Sequence, residues 1–183
     1  GPFSGFEDLL GGARRRTARV GKLETAVEIE LQEAYSGAER YVTISTDGNN
    51  RRIAVSIPPG VDSGSVVRIT PGDGQELLLN VTVKPHERIT RKGTSLSTEV
   101  DVPLEDVILG GEVDVQTMDK KVRVKIPPES QNGQRIRLKG QGMPTLGSKD
   151  SRGDLYVVVR PKMPKDITDE QRELIGRFKS IRS

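Results

Sequence analysis

The chain has no cysteine and no tryptophan in 183 residues, one histidine, three phenylalanines and three tyrosines. Without cysteine there are no disulfides, no thiolate metal sites and no cysteine nucleophile. That absence fits a reducing compartment, and the cytoplasm is the expected setting. Aromatics are 3% and hydrophobic residues 33% of the chain, so any core is small and aliphatic. No apolar run approaches the roughly 20 residues of a membrane-spanning helix, and no secretory signal is visible. Charge of one sign is also missing. Charged residues make up 30%, but 29 basic against 26 acidic residues leave only +3. Such a balance does not by itself indicate nucleic acid, which calls for basic residues clustered on one face.

Catalytic and cofactor chemistry is equally hard to find. His86, the single histidine, stands in "VKPHER" and reads as a hinge residue, because a triad would need a nucleophile and an acid placed with it. Gly72, Gly74, Gly140 and Gly142 lie in turn-like stretches, and no Lys-Ser or Lys-Thr follows them at phosphate-loop spacing. Acidic residues fall mostly on the polar phase of strands, as on a solvated sheet face. The expectation is a binding protein, not an enzyme, with no metal and no cofactor.

What the chain does have is a repeat. "VSIPPGVDSGSVVRI" begins at Val55 and "VKIPPESQNGQRIRL" at Val124. Both carry Ile-Pro-Pro, a glycine five residues after the second proline (Gly64, Gly133) and an apolar-Arg-apolar triplet. The match extends upstream, where "LQEAYSG" from Leu31 aligns with "LEDVILG" from Leu104. The offset is 73 there and 69 at Ile-Pro-Pro. The difference falls where "TDGNN" shortens to "MDKK", which is a hairpin turn. A repeat whose length differs only at a turn indicates two copies of one β-unit.

Each copy reads the same way. Leu23, Thr25, Val27, Ile29 and Leu31 alternate with polar or small residues, the period of a half-buried strand. Gln32 to Gly37 gives one helical turn closed by glycine. "RYVTIST" and "RIAVSI" are strands joined by a turn at Asp47 to Asn50. Pro58-Pro59 ends the third strand, since proline cannot donate to the ladder. "SVVRIT" and "ELLLNVTVK" complete about five strands, and the pattern restarts at Thr94. At the C-terminus, Thr168 and Gln171 stand at capping-box spacing ahead of Leu174, Ile175 and Phe178, with Ile167 before them, so a terminal amphipathic helix is expected. The opening "GPFSGFEDLLGGARRRTAR" reads as the end of a flexible Gly/Phe-rich linker, with Phe6 to Leu10 as an alternative docking turn. Gly1-Pro2 resembles a cleavage scar, so the chain is expected to be part of something longer.

Taken together, "LETAVEIELQEAYSGAERYVTI", "IPPGVDSGSVVRI", "VKPHERITRKGTSLSTEVDVPLEDVILGG", "GQGMP" and "RGDLYVVV" resemble, in order and spacing, the substrate-binding region of DnaJ-family J-domain co-chaperones. The resemblance spans nearly the whole chain. Neither the His-Pro-Asp loop of a J-domain nor the C-x-x-C-x-G-x-G zinc repeats occur in it, so the likeness is to the zinc-free class B type, and no stimulation of a partner's ATPase is expected. The resemblance implies a mainly β fold of two tandem β-sandwich-like domains at 21–88 and 89–164, a linker at 1–20 and a dimerisation helix at 165–183. It implies capture of unfolded client polypeptide and delivery to a DnaK-type chaperone by a homodimer.

By motif, the client groove falls on Thr25, Val27, Val42, Ile44 and Leu79, where an extended segment would add to a sheet edge. A one-residue register error would exchange groove and core. Arg40, Arg51 and Arg52 are candidates for a partner-chaperone tail, with a solvated strand face as the alternative. Val100, Val102, Val113 and Val115 repeat the groove positions in the second copy. Leu174, Ile175 and Phe178 are the dimerisation candidates, against packing on their own domain. A DNA-binding reading through Arg14 to Arg16 and the strand arginines stays as the alternative function. The scarcity of aromatics for base stacking weighs against it.

Overall fold

The computed structural model describes residues 22–46, 48–70 and 75–183. The readings at 1–20, Arg14 to Arg16, Phe6 to Leu10, Asp47, Gly72 and Gly74 lie outside the described residues. Among the described residues the fold is mainly β, as the alternation predicts.

The first unit runs β1 (Leu23–Ile29), α1 (Leu31–Ser36), β2 (Ala38–Thr46), β3 (Asn49–Ile57), β4 (Val66–Ile69) and β5 (Leu77–Val83). Every second residue of β1 is at least half-buried, the pattern its composition dictates. β1 lies parallel to β5 with Leu23 opposite Leu77, Thr25 opposite Leu79 and Val27 opposite Val81. β4 joins β5 antiparallel, giving the order β1-β5-β4. β2 and β3 form a separate hairpin. Val42, Ile44 and Val55 of the hairpin pack on Leu77 and Leu79 of the sheet, so the two layers enclose one aliphatic core.

The second unit runs β6 (Ile89–Lys92), β7 (Ser95–Pro103), α2 (Leu104–Leu109), β8 (Gly111–Gln116), β9 (Lys121–Ile126), β10 (Arg135–Leu138), β11 (Pro144–Thr145), β12 (Ser148–Arg152) and β13 (Leu155–Lys162). Its topology repeats the first: β7 lies parallel to β13, β10 antiparallel to β13, and β8 with β9 form a hairpin. β6 adds to the outer edge of β7, and β11 with β12 form a small hairpin of their own. Among the described residues neither has a counterpart in the first unit.

The doubled cassette is one corner built twice. The N–H groups of Gly64 and Gly133 donate to the carbonyls of Val81 (2.9 Å) and Val159 (2.8 Å), and those of Val81 and Val159 donate back to Ser65 and Gln134. Each Ile-Pro-Pro also packs against the glycine that closes the short helix. A Cβ on Gly37 would lie 3.1 Å from the Ile57 carbonyl oxygen, and one on Gly110 3.2 Å from that of Ile126. The apolar cores differ in reach. Val102, Val107, Ile126 and Val159 form one cluster within the second unit, and Val115, Val124 and Val157 another. A larger cluster joins Ile29, Leu31, Tyr35, Ile57 and Val61 of the first unit to Ile89, Leu96, Met118, Met143 and Leu155 of the second. The chain ends in α3 (Asp169–Arg182), none of whose residues is buried.

Candidate functional site

The first hairpin has a defined inside and outside. Cross-strand partners point the same way, so Arg40 with Val55, Val42 with Ile53, and Ile44 with Arg51 share one face. Tyr41, Thr43, Arg52 and Ala54 share the other. Val42, Ile44 and Val55 are buried against Leu77 and Leu79. Leu79 is completely enclosed, whereas Thr25 and Val27, on the neighbouring strand, are half-buried. Of the five candidate groove residues, Val42, Ile44 and Leu79 therefore meet in the buried core of the unit, Val27 is partly buried against it, and Thr25 stands opposite Leu79 in the β1–β5 ladder.

Among the described residues, β1 pairs only with β5 and β2 only with β3. Each has one edge whose main-chain groups enter no ladder, and such an edge can accept another extended segment. The aliphatic interior lies between the two layers that carry these edges.

The three candidate arginines do not form one patch. Arg40 donates from Nε to Glu33 Oε2 (2.8 Å) and from Nη2 to Glu33 Oε1 (2.6 Å). These bonds hold the Glu33 carboxyl below the usual carboxylate range against its partial desolvation, helped by the Glu30 N–H, which donates to the same carboxylate. They also raise Arg40. Arg51 lies on the same face, beyond Ile44. Arg52 is on the outer face with its guanidinium 4.3 Å from the Tyr41 ring centre, a cation–π contact. Alternation along β3 separates Arg51 from Arg52, as it must for adjacent strand residues.

In the second unit Val102 and Val115 are buried, and Val100 and Val113 half-buried against the same clusters. His86 is part of the connection between the units. Its Nδ1 accepts from the N–H groups of Arg88 and Ile89, both at 3.0 Å, and so shapes the entry to β6.

The capping box of α3 forms as its spacing predicts: the Gln171 N–H donates to Thr168 Oγ1 (3.1 Å), and the Thr168 N–H to Gln171 Oε1 (2.9 Å). Leu174, Ile175 and Phe178 are 55%, 58% and 48% exposed. Packing on their own domain, the alternative raised from the sequence, is thus not what they do. Ile181, also exposed, continues the stripe. The sequence reading missed it, although its spacing of three from Phe178 carries the signal. Among the described residues no group of His, Asp and Glu is disposed to hold a metal ion, and no helix is long and apolar enough to cross a membrane.

Comparison with known proteins agrees with this architecture. The family "DnaJ C terminal domain" matches residues 23–164. "Chaperone protein DnaJ 2" of Thermus thermophilus is 38% identical over 171 residues, covering 91% of this chain and 59% of that protein. "Chaperone protein DnaJ" of Bartonella quintana is 39% identical over 142 residues, covering 72% of this chain and 37% of that protein. Its namesake from Deinococcus proteolyticus is 34% identical over 183 residues, covering 98% and 57%. The chain therefore spans less than two thirds of the length of these relatives. With the repeated unit, its corner cassette and a match that runs from the first strand to the last, the chain belongs to the DnaJ C-terminal domain family.

Proposed function

We propose that this chain is the client-binding portion of a co-chaperone, with tandem β-domains at 21–88 and 89–164 and a dimerising segment at 165–183. An extended, apolar stretch of non-native polypeptide adds to the open edge between β1 and β2. The observation that carries this reading is an aliphatic interior, half-exposed at Thr25 and Val27, enclosed by layers in which β1 and β2 each pair on one side only among the described residues. Main-chain bonds to an edge are indifferent to client sequence, while the aliphatic wall selects apolar side chains. The wall has no aromatic residue, and small aliphatic contacts bury little area at about 25 cal/mol per Å². Weak binding of this kind suits release to a DnaK-type partner. Arg51, with Arg40 once it leaves Glu33, is the proposed contact for that partner's acidic tail.

Titration of the isotopically labelled chain with a short, extended apolar peptide tests the reading. Amide shifts are expected at residues 24–28 and 41–45. Shifts confined to other strands, or none at millimolar peptide, overturn it.

A further inference from the structure

Between β10 and β13 the second unit carries residues 139–154, including "GQGMP", where the first unit has only the short connection from β4 to β5. The insertion closes first on its own unit. The Gly142 N–H donates to Gly153 O, the Met143 N–H to Thr94 O and the Gly153 N–H to Met143 O, each at 2.9 Å. A Cβ on Gly142 or Gly153 would lie 2.4 or 2.3 Å from the Thr94 carbonyl oxygen, so only glycine permits the approach. The closure drives Met143, fully buried, into the apolar cluster shared by both units.

The tip of the insertion then meets the first unit. The Gly147 N–H donates to the Pro59 carbonyl at 3.0 Å, directly on the first cassette. A Cβ on Gly60 would lie 2.7 Å from both N and Cα of Leu146 and 2.8 Å from Pro144 O. From β6, Arg91 donates through Nη1 to Val61 O and through Nη2 to Gly60 O, with the Asp62 carboxylate 3.6 Å away. Arg152 of β12 stacks over the Tyr35 ring at 4.6 Å. Both rims and the centre of the junction are thus held.

The repeat supplies its own control. The residue after Ile-Pro-Pro is Gly60 in the first copy and Glu129 in the second, and both have positive φ, 93° and 58°. The second corner carries a glutamate side chain, exposed to solvent, at φ 58°. The corner of the second unit thus admits a side chain at positive φ, while at Gly60 the larger φ and the backbone of the second unit pressed against it both call for glycine.

We propose that residues 140–152 are an interdomain lock, seated on the first Ile-Pro-Pro-Gly corner and braced by Arg91, which holds the two units in one mutual orientation. The open edges of the two units then keep a fixed separation, whatever they bind.

Amide exchange on the full chain tests this at Gly147, whose N–H bond crosses the junction. In Gly60→Ala, exchange at Gly147 is expected to rise by at least roughly tenfold, while Val81, bonded within the first unit, keeps its protection. Unchanged protection at Gly147 overturns the lock. So does an equal rise at Val81, which would make Gly60 a residue of the first unit's own fold. Arg91→Met, which removes the donors and keeps the stem, is read by the same pair of amides with the same expected outcome. A native chain whose two units tumble with independent rotational diffusion also overturns it.

Discussion

Glu33 of α1 and Arg40 of β2 are joined by two parallel hydrogen bonds, 2.8 and 2.6 Å long, that tie the short helix to the start of the candidate client strand. The pair is partly exposed, so its contribution is bounded at roughly 0.5–1 kcal/mol, the upper end for surface pairs with good geometry. Arg40→Ala should cost about that much at neutral pH. Because Glu33 is held below its unfolded value, the contribution is present above the ordinary carboxylate range and is lost as pH falls through the lowered folded value. Urea denaturation at neutral pH and again at about pH 3 checks the sign, since the difference between native chain and Arg40→Ala should shrink on acidification.

Asp154 gives a second acid-sensitive point, located in the insertion. Its Oδ1 accepts from the Gly140 N–H (2.9 Å) and its Oδ2 from Arg137 Nε (2.6 Å). The Gly140 bond first, and then Arg137, hold the carboxyl below its usual range. Here too the stabilising contribution disappears as pH drops through the lowered value. Asp154→Asn should lower the protection factor of the Gly140 amide at neutral pH and remove most of that factor's pH dependence. An unchanged profile counts against Asp154 as the group that orders the loop.

The groove residues differ in what substitution can report. Leu79 is enclosed on every side, so Leu79→Ala should cost about 2–5 kcal/mol through lost contacts and a cavity. Aspartate at Val42 or Ile44 would bury an unpaired charge and unfold the unit, so neither probes binding cleanly. Thr25→Lys is the informative change. It should alter stability by less than about 1 kcal/mol, because Thr25 is half-buried at an edge. Peptide affinity should fall severalfold, read by isothermal titration. Undiminished affinity in a folded Thr25→Lys chain argues against an edge at β1.

Much of this arrangement is legible in the sequence because it is local. Period-two alternation gives β1, Ile-Pro-Pro ends β3 and β9, and Thr168 with Gln171 starts α3, each from residues within a few positions of one another. The repeat offset transfers those readings to the second copy. What escaped is long-range. β6 is four residues, "ITRK", whose strand character comes from pairing with β7 and not from its own pattern. The parallel partnership of β1 and β5 crosses more than 50 residues, and nothing in either strand names the other. "GQGMP" is unreadable from its neighbours because Gly142 answers to Thr94 and Met143 to a cluster built from both units. The candidate arginines are adjacent or near in sequence, yet strand alternation sends Arg51 and Arg52 to opposite faces, and Glu33 engages Arg40.

Met143 should reveal whether the shared cluster couples the units. Met143→Ala is expected to cost about 2–5 kcal/mol. It should weaken amide protection in both units, at Val81 as well as at Val159. Val124→Ala, confined to a cluster of the second unit, should leave Val81 comparatively protected. Identical protection patterns for the two variants would mean that the units unfold together for reasons other than Met143.

The terminal helix makes the sharpest demand. A 14-residue helix is marginal in water on its own capping and propensity, because its nucleation is unfavourable. Here none of its residues is buried among the described residues, and it presents Leu174, Ile175, Phe178 and Ile181 to solvent. Burial of that stripe against a second copy would supply what isolation does not. The native chain should therefore sediment as a dimer at micromolar concentration with the helix formed. Phe178→Ala should weaken dimer association by about 2 kcal/mol, or roughly thirtyfold in Kd, as expected for a large aromatic anchor at the centre of an interface. Ile175→Asp combined with Phe178→Asp should give a monomer that has also lost helical circular dichroism, because helix and interface form together. A native chain that stays monomeric with full helicity would show that capping alone sustains α3, and that the stripe is held for a partner other than itself.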